Sequence, residues 1–273
     1  MGIIRKIISV IIFALLASAL WTASARDVTV SGSSTVMPLA EAAAEEFNLL
    51  QKDYMVSVSA GGTGAGILGI AERKNDIAMA SREITDEELQ RFGNSFQQYL
   101  VCLDGISIAV SDEIYQAGVT ELDKQQVHDI YSGNITNWKE VGGPDADIYV
   151  ISREEGSGTR DEFNEIIMGN RSAETPGVDT VAMGAAEVKT AISGSDKAIG
   201  YLGFNYLGGA VMGIAFNGIK PNYENIKLDL YELHRHLYFY TYGKPSEGSQ
   251  AFIDFVQGPE GQKIASEEGF IPI

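Results

Sequence analysis

The sequence predicts an α/β fold built on parallel-rich sheets. Three observations carry that expectation. Short β-branched or alternating apolar segments take turns with stretches of helical character along most of the chain, the pattern that packs helices over parallel strands. The junctions where a strand ends and a helix begins are repeatedly rich in Gly, Ser and Thr. The chain of 273 residues, 45% hydrophobic, is long enough for two lobes of ordinary size. No internal repeat or low-complexity segment interrupts the pattern.

The first 25 residues differ in kind. Arg5 and Lys6 precede an apolar run from Ile7 to Leu20, and Ala23-Ser24-Ala25 supplies the small residues of a cleavage site. This reads as a secretory signal peptide over residues 1–25, with an uncleaved N-terminal anchor as the alternative. The apolar run is short for a membrane span, and no Cys lies at the cleavage site to carry a lipid.

The elements follow in order. Val28–Val30 is a strand, Ser31 to Thr35 a hydroxyl-rich turn, and Met37 to Leu50 a helix whose Pro38 suits the first turn. Met55–Ser59 alternates as a strand. A glycine-rich turn with Thr63 and a helix to Arg73 come next. Asp76–Ala80 is a strand ending at Ser81-Arg82, and Thr85 to Glu88 opens another helix. Tyr99 to Val110 is a strong strand interrupted at Asp104-Gly105. Polar helices are expected around Glu113 and over Leu122 to Tyr131. After a turn from Ser132 to Trp138, a strand covers Asp147–Ile151, and a helix starts near Thr159 and runs on to Met168. Ala185–Ser193 is helical. Ile199–Leu202, Val211–Phe216 and Leu237–Tyr242 are strands, and two helices, Pro245–Gly258 and Pro259–Glu268, close the chain.

The chemistry concentrates in Ile151 to Phe163. Here a strand gives way to a glycine-punctuated turn and then a helix. Free N–H groups and partial positive charge lie at a helix start, and Gly156 and Gly158 let the backbone come close to a ligand. Ser157 and Thr159 add hydroxyls, and Arg153 adds a planar fork suited to a tetrahedral oxyanion. Capping of the helix by Ser157 or Thr159 is the alternative use of the same side chains. Ser34, Thr35 and Thr63 stand in comparable turns. Arg82 lies just past a strand end, as an anion ligand or paired with nearby acids such as Glu83. A carboxylate inside an apolar strand, Asp104, needs a partner or a purpose.

Several classes are disfavoured. The net charge is −17, from 37 acids against 20 Lys and Arg, and removing the acid-free leader makes it about −19. A nucleic-acid role needs a basic face, so none is expected, and an anion must be held here by short-range hydrogen bonds against a repelling field. Cys102 is the one cysteine and reads as a small core residue. Gly64, Gly66 and Gly69 match a dinucleotide motif, but the first of them already begins a helix, so no cofactor is expected. His234 and His236, with His128, are weak evidence for a metal, and no metal site is expected. A serine hydrolase using Ser157 needs a base, and Arg153 stays protonated. Asn134-Ile135-Thr136 and Asn170-Arg171-Ser172 match the glycosylation sequon.

Four motifs coincide in a meaningful order: Gly32 to Pro38, Ala60 to Gly64, Ala80-Ser81-Arg82 and Arg153 to Thr159. With Asp104-Gly105-Ile106, Tyr131 to Trp138, Ala251 to Phe255 and Gly269 to Ile273, they resemble the extracytoplasmic phosphate-binding proteins of the phosphate ABC importer, in the periplasmic-binding-protein type 2 family. The resemblance covers essentially the whole chain after the leader. It implies two α/β lobes joined by crossing strands near Ile106 and Leu237, with the ligand in the cleft: lobe 1 over 27–106 plus 238–273, lobe 2 over 107–237. It implies a receptor, not an enzyme, expected to be monomeric and to hand inorganic phosphate to membrane permease subunits. Ser34 and Thr35 would bind through hydroxyl or backbone N–H, Thr63 through its hydroxyl, and Arg153, Ser157, the Gly158 N–H and Thr159 would form the other half. Glu155 stands where an acid orients the arginine.

One departure bears on specificity. Many members carry Ala-Ser-Asp where this chain has Ala80-Ser81-Arg82. The Asp accepts the proton of hydrogen phosphate and so rejects sulfate. With a donor at Arg82, Asp104 becomes the expected acceptor, kept ionised by Arg82 and Arg153; its alternative role is only to pair with Arg82. A receptor for sulfate, molybdate or another oxyanion is the competing function.

Overall fold

The computed structural model describes residues 26–273, so the expected signal peptide lies outside the described residues. Strands β1 (Arg26–Gly32), β2 (Tyr54–Ala60) and β3 (Ile77–Ala80) alternate with helices α1 (Met37–Leu50), α2 (Thr63–Ala71) and α3 (Asp86–Phe92). β1 lies between β2 and β3, parallel to both. Val28 and Val30 alternate inward on β1 and meet Leu39, Ala43 and Phe47 of α1 in one buried cluster. The period of two on the strand and of three to four on the helix makes these faces meet. Two of the motif glycines serve packing rather than a nucleotide. A Cβ on Gly66 would lie 2.7 Å from the Ser31 carbonyl oxygen, and one on Gly69 would collide with the Asn75 side chain.

β4 is one unbroken strand, Phe96–Ser111, where the sequence implies a break at Asp104-Gly105. It is kept whole by pairing on both flanks. β11 (His234–Tyr242) runs antiparallel to it, with Arg235 opposite Asp104 and Leu237 opposite Cys102. Beyond Gly105, β4 pairs antiparallel with β8 (Ala198–Gly203) and with β9 (Val211–Gly213). β6 (Tyr149–Arg153) lies parallel to β8 and to β7 (Thr180–Ala182). The main sheet order is therefore β2-β1-β3-β11-β4-β8-β6-β7. It is parallel on either side and antiparallel at β11 and β4, a mixed sheet rather than a uniformly parallel one.

The predicted Val211–Phe216 strand divides after Gly213. β9 joins β4, whereas β10 (Ala215–Phe216) pairs with β5 (Glu121–Leu122). Helices α4 (Asp112–Gln116), α5 (Lys124–Tyr131), α6 (Gly158–Phe163), α7 (Ala185–Ser193) and α8 (Tyr223–Lys227) accompany the second half. α6 passes into a π-helical turn over Asn164–Met168. α9 (Glu247–Gln257) and α10 (Pro259–Glu267) return to the first half, where Phe252 and Ile253 enter the cluster of β1 and α1. A second cluster, around Ile108, Val127, Trp138, Phe163 and Tyr201, fills the other half. Cys102 is fully buried on β4 as a free thiol.

Candidate functional site

The N-terminal turns of α1, α2 and α6 and the end of β3 converge on one seam between the two halves. The Thr35 and Thr159 hydroxyls lie 3.0 Å apart, and those of Thr63 and Ser81 lie 3.2 Å apart. All four residues are buried. The Gly64 N–H donates to the Gly156 carbonyl at 3.0 Å, tying the α2 turn to the α6 turn through backbone alone. Gly158 fits between the hydroxyl pair: a Cβ there would lie 2.6 Å from Ser81 Oγ and 2.7 Å from Thr63 Oγ1. Ser157 is the N-cap of α6 and accepts the Arg160 N–H at 3.4 Å, so the capping reading holds and its own O–H remains to be donated.

Ser34 is held by three groups from the other half. Arg153 Nη2 donates to its Oγ at 3.1 Å, the Ala185 N–H donates to the same oxygen at 3.3 Å, and the Tyr206 hydroxyl donates to its carbonyl at 3.0 Å. Tyr206 is pushed up to about 12, first by burial and then by the Asp104 charge, so it is a neutral donor at physiological pH.

Arg153 sits at the end of β6, 2% exposed. Its Nε and Nη2 grip Glu154 at 2.7 and 2.8 Å. The orienting acid is thus Glu154 and not Glu155, which is exposed. β6 is still extended at Arg153, so adjacent side chains leave opposite faces; the chain turns directly afterwards, which brings the Glu154 carboxylate back beside the guanidinium. Arg153 Nη1 is buried with no hydrogen-bond partner among the described residues.

Arg82 is placed differently from the sequence expectation of an anion ligand. Its Nε donates to Asp161 at 2.6 Å, Nη1 to Glu88 at 2.8 Å and to the Glu83 carbonyl at 2.9 Å, and Nη2 to Glu88 at 3.0 Å. The partners are Glu88 and Asp161, with Glu83 contributing only its backbone. Glu88 also completes the capping box with Thr85 at the start of α3, which fixes it in front of the arginine. Burial works against charge on Arg82, but Glu88 and Asp161 outweigh it and hold the guanidinium above its ordinary value. Burial raises Asp161, with Arg82 opposing. Every nitrogen of Arg82 is thus occupied by acceptors within the chain.

Asp104 is fully buried, and its partner is Arg235, not Arg82 or Arg153. Arg235 Nε and Nη2 reach Asp104 Oδ2 at 3.2 and 2.8 Å. Burial raises the Asp104 carboxyl above its usual range, and the Arg235 charge opposes the rise. The expectation of a carboxyl lowered by Arg82 and Arg153 is therefore corrected in both direction and cause. Asp104 Oδ1 has no side-chain hydrogen-bond partner among the described residues and faces Gly203, and the backbone N–H groups of Phe204 and Gly105 also act to lower this carboxyl.

Sequence reasoning missed Arg235, Glu154 and Tyr206. For Arg235 a signal existed. It shares its strand face with Leu237 and Phe239, between two histidines, so alternation alone would bury a guanidinium.

The family model of the PBP superfamily domain matches residues 17–260. The phosphate-binding protein PstS of Bacillus subtilis is 32% identical over 251 residues, 90% of this chain and 81% of the relative. PstS of Borreliella burgdorferi is 29% identical over 98% of this chain and 99% of its own length. Among solved structures, a substrate-binding protein assigned to a phosphate ABC transporter of Clostridium perfringens, solved with bound phosphate, superposes with a TM-score of 0.84 at 35% identity, over 91% of this chain and 100% of that one. An ABC-type phosphate transport receptor of Vibrio cholerae gives 0.74 at 31% identity, over 90% and 100%. These matches span both halves, so the two-lobed architecture is the family's own, and the chain belongs to the PBP superfamily, among the PstS phosphate-binding proteins.

Proposed function

We propose that the chain captures inorganic phosphate outside the cytoplasm and delivers it to the permease subunits of an ABC importer. The observation that carries this reading is the convergence of the Thr35, Thr63, Ser81, Ser157 and Thr159 hydroxyls with Arg153, whose Nη1 is buried and has no partner among the described residues. Oxyanions are held by such neutral donors around one charge-assisted fork. The phosphate-binding role of the relatives points the same way. The ligand set is Ser34, Thr35, Thr63, Ser81, Arg153, Ser157, the Gly158 N–H and Thr159, with Asp104 Oδ1 as acceptor for the ligand's proton. Lobe 1 comprises 27–106 plus 238–273, lobe 2 comprises 107–237, and the anion bridges them. The chain works as a monomer released, or held, by its N-terminal segment. No helix among the described residues is long and apolar enough to cross a membrane.

A hydrolase using Ser157 is disfavoured: its Oγ is bonded to the Arg160 backbone N–H, not to an imidazole or amine. Calorimetry of the ligand-stripped protein against phosphate, sulfate and molybdate tests the reading. Tight phosphate binding with weak sulfate is expected. Preference for sulfate or molybdate would reassign the ligand, and turnover of a chromogenic phosphate ester would reopen the enzyme.

A further inference from the structure

Arg153 and Arg235 are built alike. Each is at least 96% buried. Each gives its Nε–Nη2 edge to one carboxylate, Glu154 for Arg153 and Asp104 for Arg235. Each then turns Nη2 toward a hydroxyl of the same turn: Arg153 to Ser34 Oγ at 3.1 Å, Arg235 to Thr35 Oγ1 at 3.4 Å. Each leaves Nη1 buried and without a partner among the described residues. A guanidinium has five N–H donors in two usable edges. In both residues the side edge is consumed and the end edge, Nη1 with the second N–H of Nη2, is only half used. A buried donor without an acceptor is costly, and the same omission at two arginines flanking consecutive residues points to one shared acceptor. Arg82 lacks the pattern, since all its nitrogens are bonded within the chain.

We propose that Arg235 is a second arginine of the anion site, donating from its Nη1 to the ligand opposite Arg153. This rests on the phosphate reading above and adds a residue to it. Each arginine brings its own counter-charge, so the pair offers two oriented forks with little net positive charge. An oxyanion is then selected by geometry, as a chain of charge −17 requires. The 2.8 Å contact with Asp104 is the cross-strand device that aims Arg235 from β11.

The test has two arms. Arg235→Lys keeps a cation beside Asp104 but loses the fork. It should weaken phosphate by roughly 10- to 100-fold, the loss that goes with one charge-assisted hydrogen bond, with an unfolding temperature near that of the parent. The second arm needs no variant: a crystal structure of the unmodified protein with phosphate should place an anion oxygen about 3 Å from Nη1 of Arg235 as well as of Arg153. If the parent shows no phosphate binding in calorimetry, the functional reading itself falls. If the parent binds but the oxygen lies beyond reach of Arg235, or the folded Lys variant binds equally well, only the second arginine is refuted. Arg235 also borders a cavity of about 190 Å³ shared with Arg82, Arg171, His234 and His236, and an anion found there instead would equally overturn the proposal.

Discussion

Gly158→Ala is the most economical probe of how the two halves fit together. The added methyl would stand 2.6 Å from Ser81 Oγ, 2.7 Å from Thr63 Oγ1 and 3.1 Å from Arg82 Cγ. Both hydroxyls are about 1% exposed and bonded to each other at 3.2 Å, so neither can retreat without breaking that bond. Gly158 opens α6 with ordinary helical backbone, so alanine is tolerated within its own half and favours the helix by up to about 1 kcal/mol. The penalty falls only where α6 meets the turns of Thr63 and Ser81. Overpacking of this kind costs about 1–3 kcal/mol, which converts to roughly 5- to 150-fold weaker phosphate binding. Without the bridging anion the halves are expected to stand apart, so the ligand-free variant should unfold at or slightly above the parent's temperature, while the upward shift produced by phosphate shrinks. Calorimetric titration paired with thermal unfolding, with and without ligand, reads both quantities. Parent-like affinity in the folded variant would refute the placement of α6 against Thr63 and Ser81 in the binding form.

Three further outcomes are expected. Arg153→Ala should weaken phosphate by about 2–4 kcal/mol, because it removes a desolvated charge and strands Glu154; an unchanged dissociation constant would take Arg153 out of the site. Asp104→Asn should lower the phosphate-to-sulfate affinity ratio by roughly 10- to 100-fold, the worth of about 1.5–3 kcal/mol for a hydrogen bond to a charged group; using the ratio cancels the general gain from removing a negative charge, and an unchanged ratio would leave Asp104 as a buttress for Arg235 only. The third concerns Tyr206, whose phenol moves from 10.0 to about 12 in the fold. Its contribution is fully present below pH 10 and is lost as pH rises through 10 to 12, when the bond to the Ser34 carbonyl breaks. Scattering profiles of the phosphate-loaded protein should expand over that range, and Tyr206→Phe should abolish the step; superimposable alkaline titrations of the two proteins would count against it.

Much of the architecture was legible because local signals agreed. β1, α1, β2 and α2 each carry the right period and the right turn residues, so their positions follow from the sequence alone. The continuity of β4 was not, because the Asp104-Gly105 break is bridged by Arg235 from a strand 131 residues later. The division of Val211–Phe216 was hidden for the same reason: β9 and β10 are separated by their partners, not by composition. At the site, hydroxyls in strand-to-helix turns were readable, since backbone geometry fixes where such turns point. The partners of the charges were not. Arg82 and Arg153 each lie near several carboxylates in sequence and Asp104 has no cation on its own strand, so only the tertiary packing decides that Glu88 and Asp161, Glu154, and Arg235 are the ones reached.

Cys102 lies two residues before Asp104 on β4, opposite Leu237, where the two strands run together from one half to the other. Its thiol is fully covered, and burial, with the Asp104 charge, pushes its ionisation well above the ordinary value. A thiol in that condition is chemically silent, since the thiolate is the reacting species. The chain therefore carries one built-in clock for the strand crossing. The rate at which a small alkylating reagent consumes Cys102 counts the moments when the cluster packed over this crossing, with Leu237, Phe252 and Phe270, opens. Phosphate, by bridging the halves, should slow that clock without touching the cysteine.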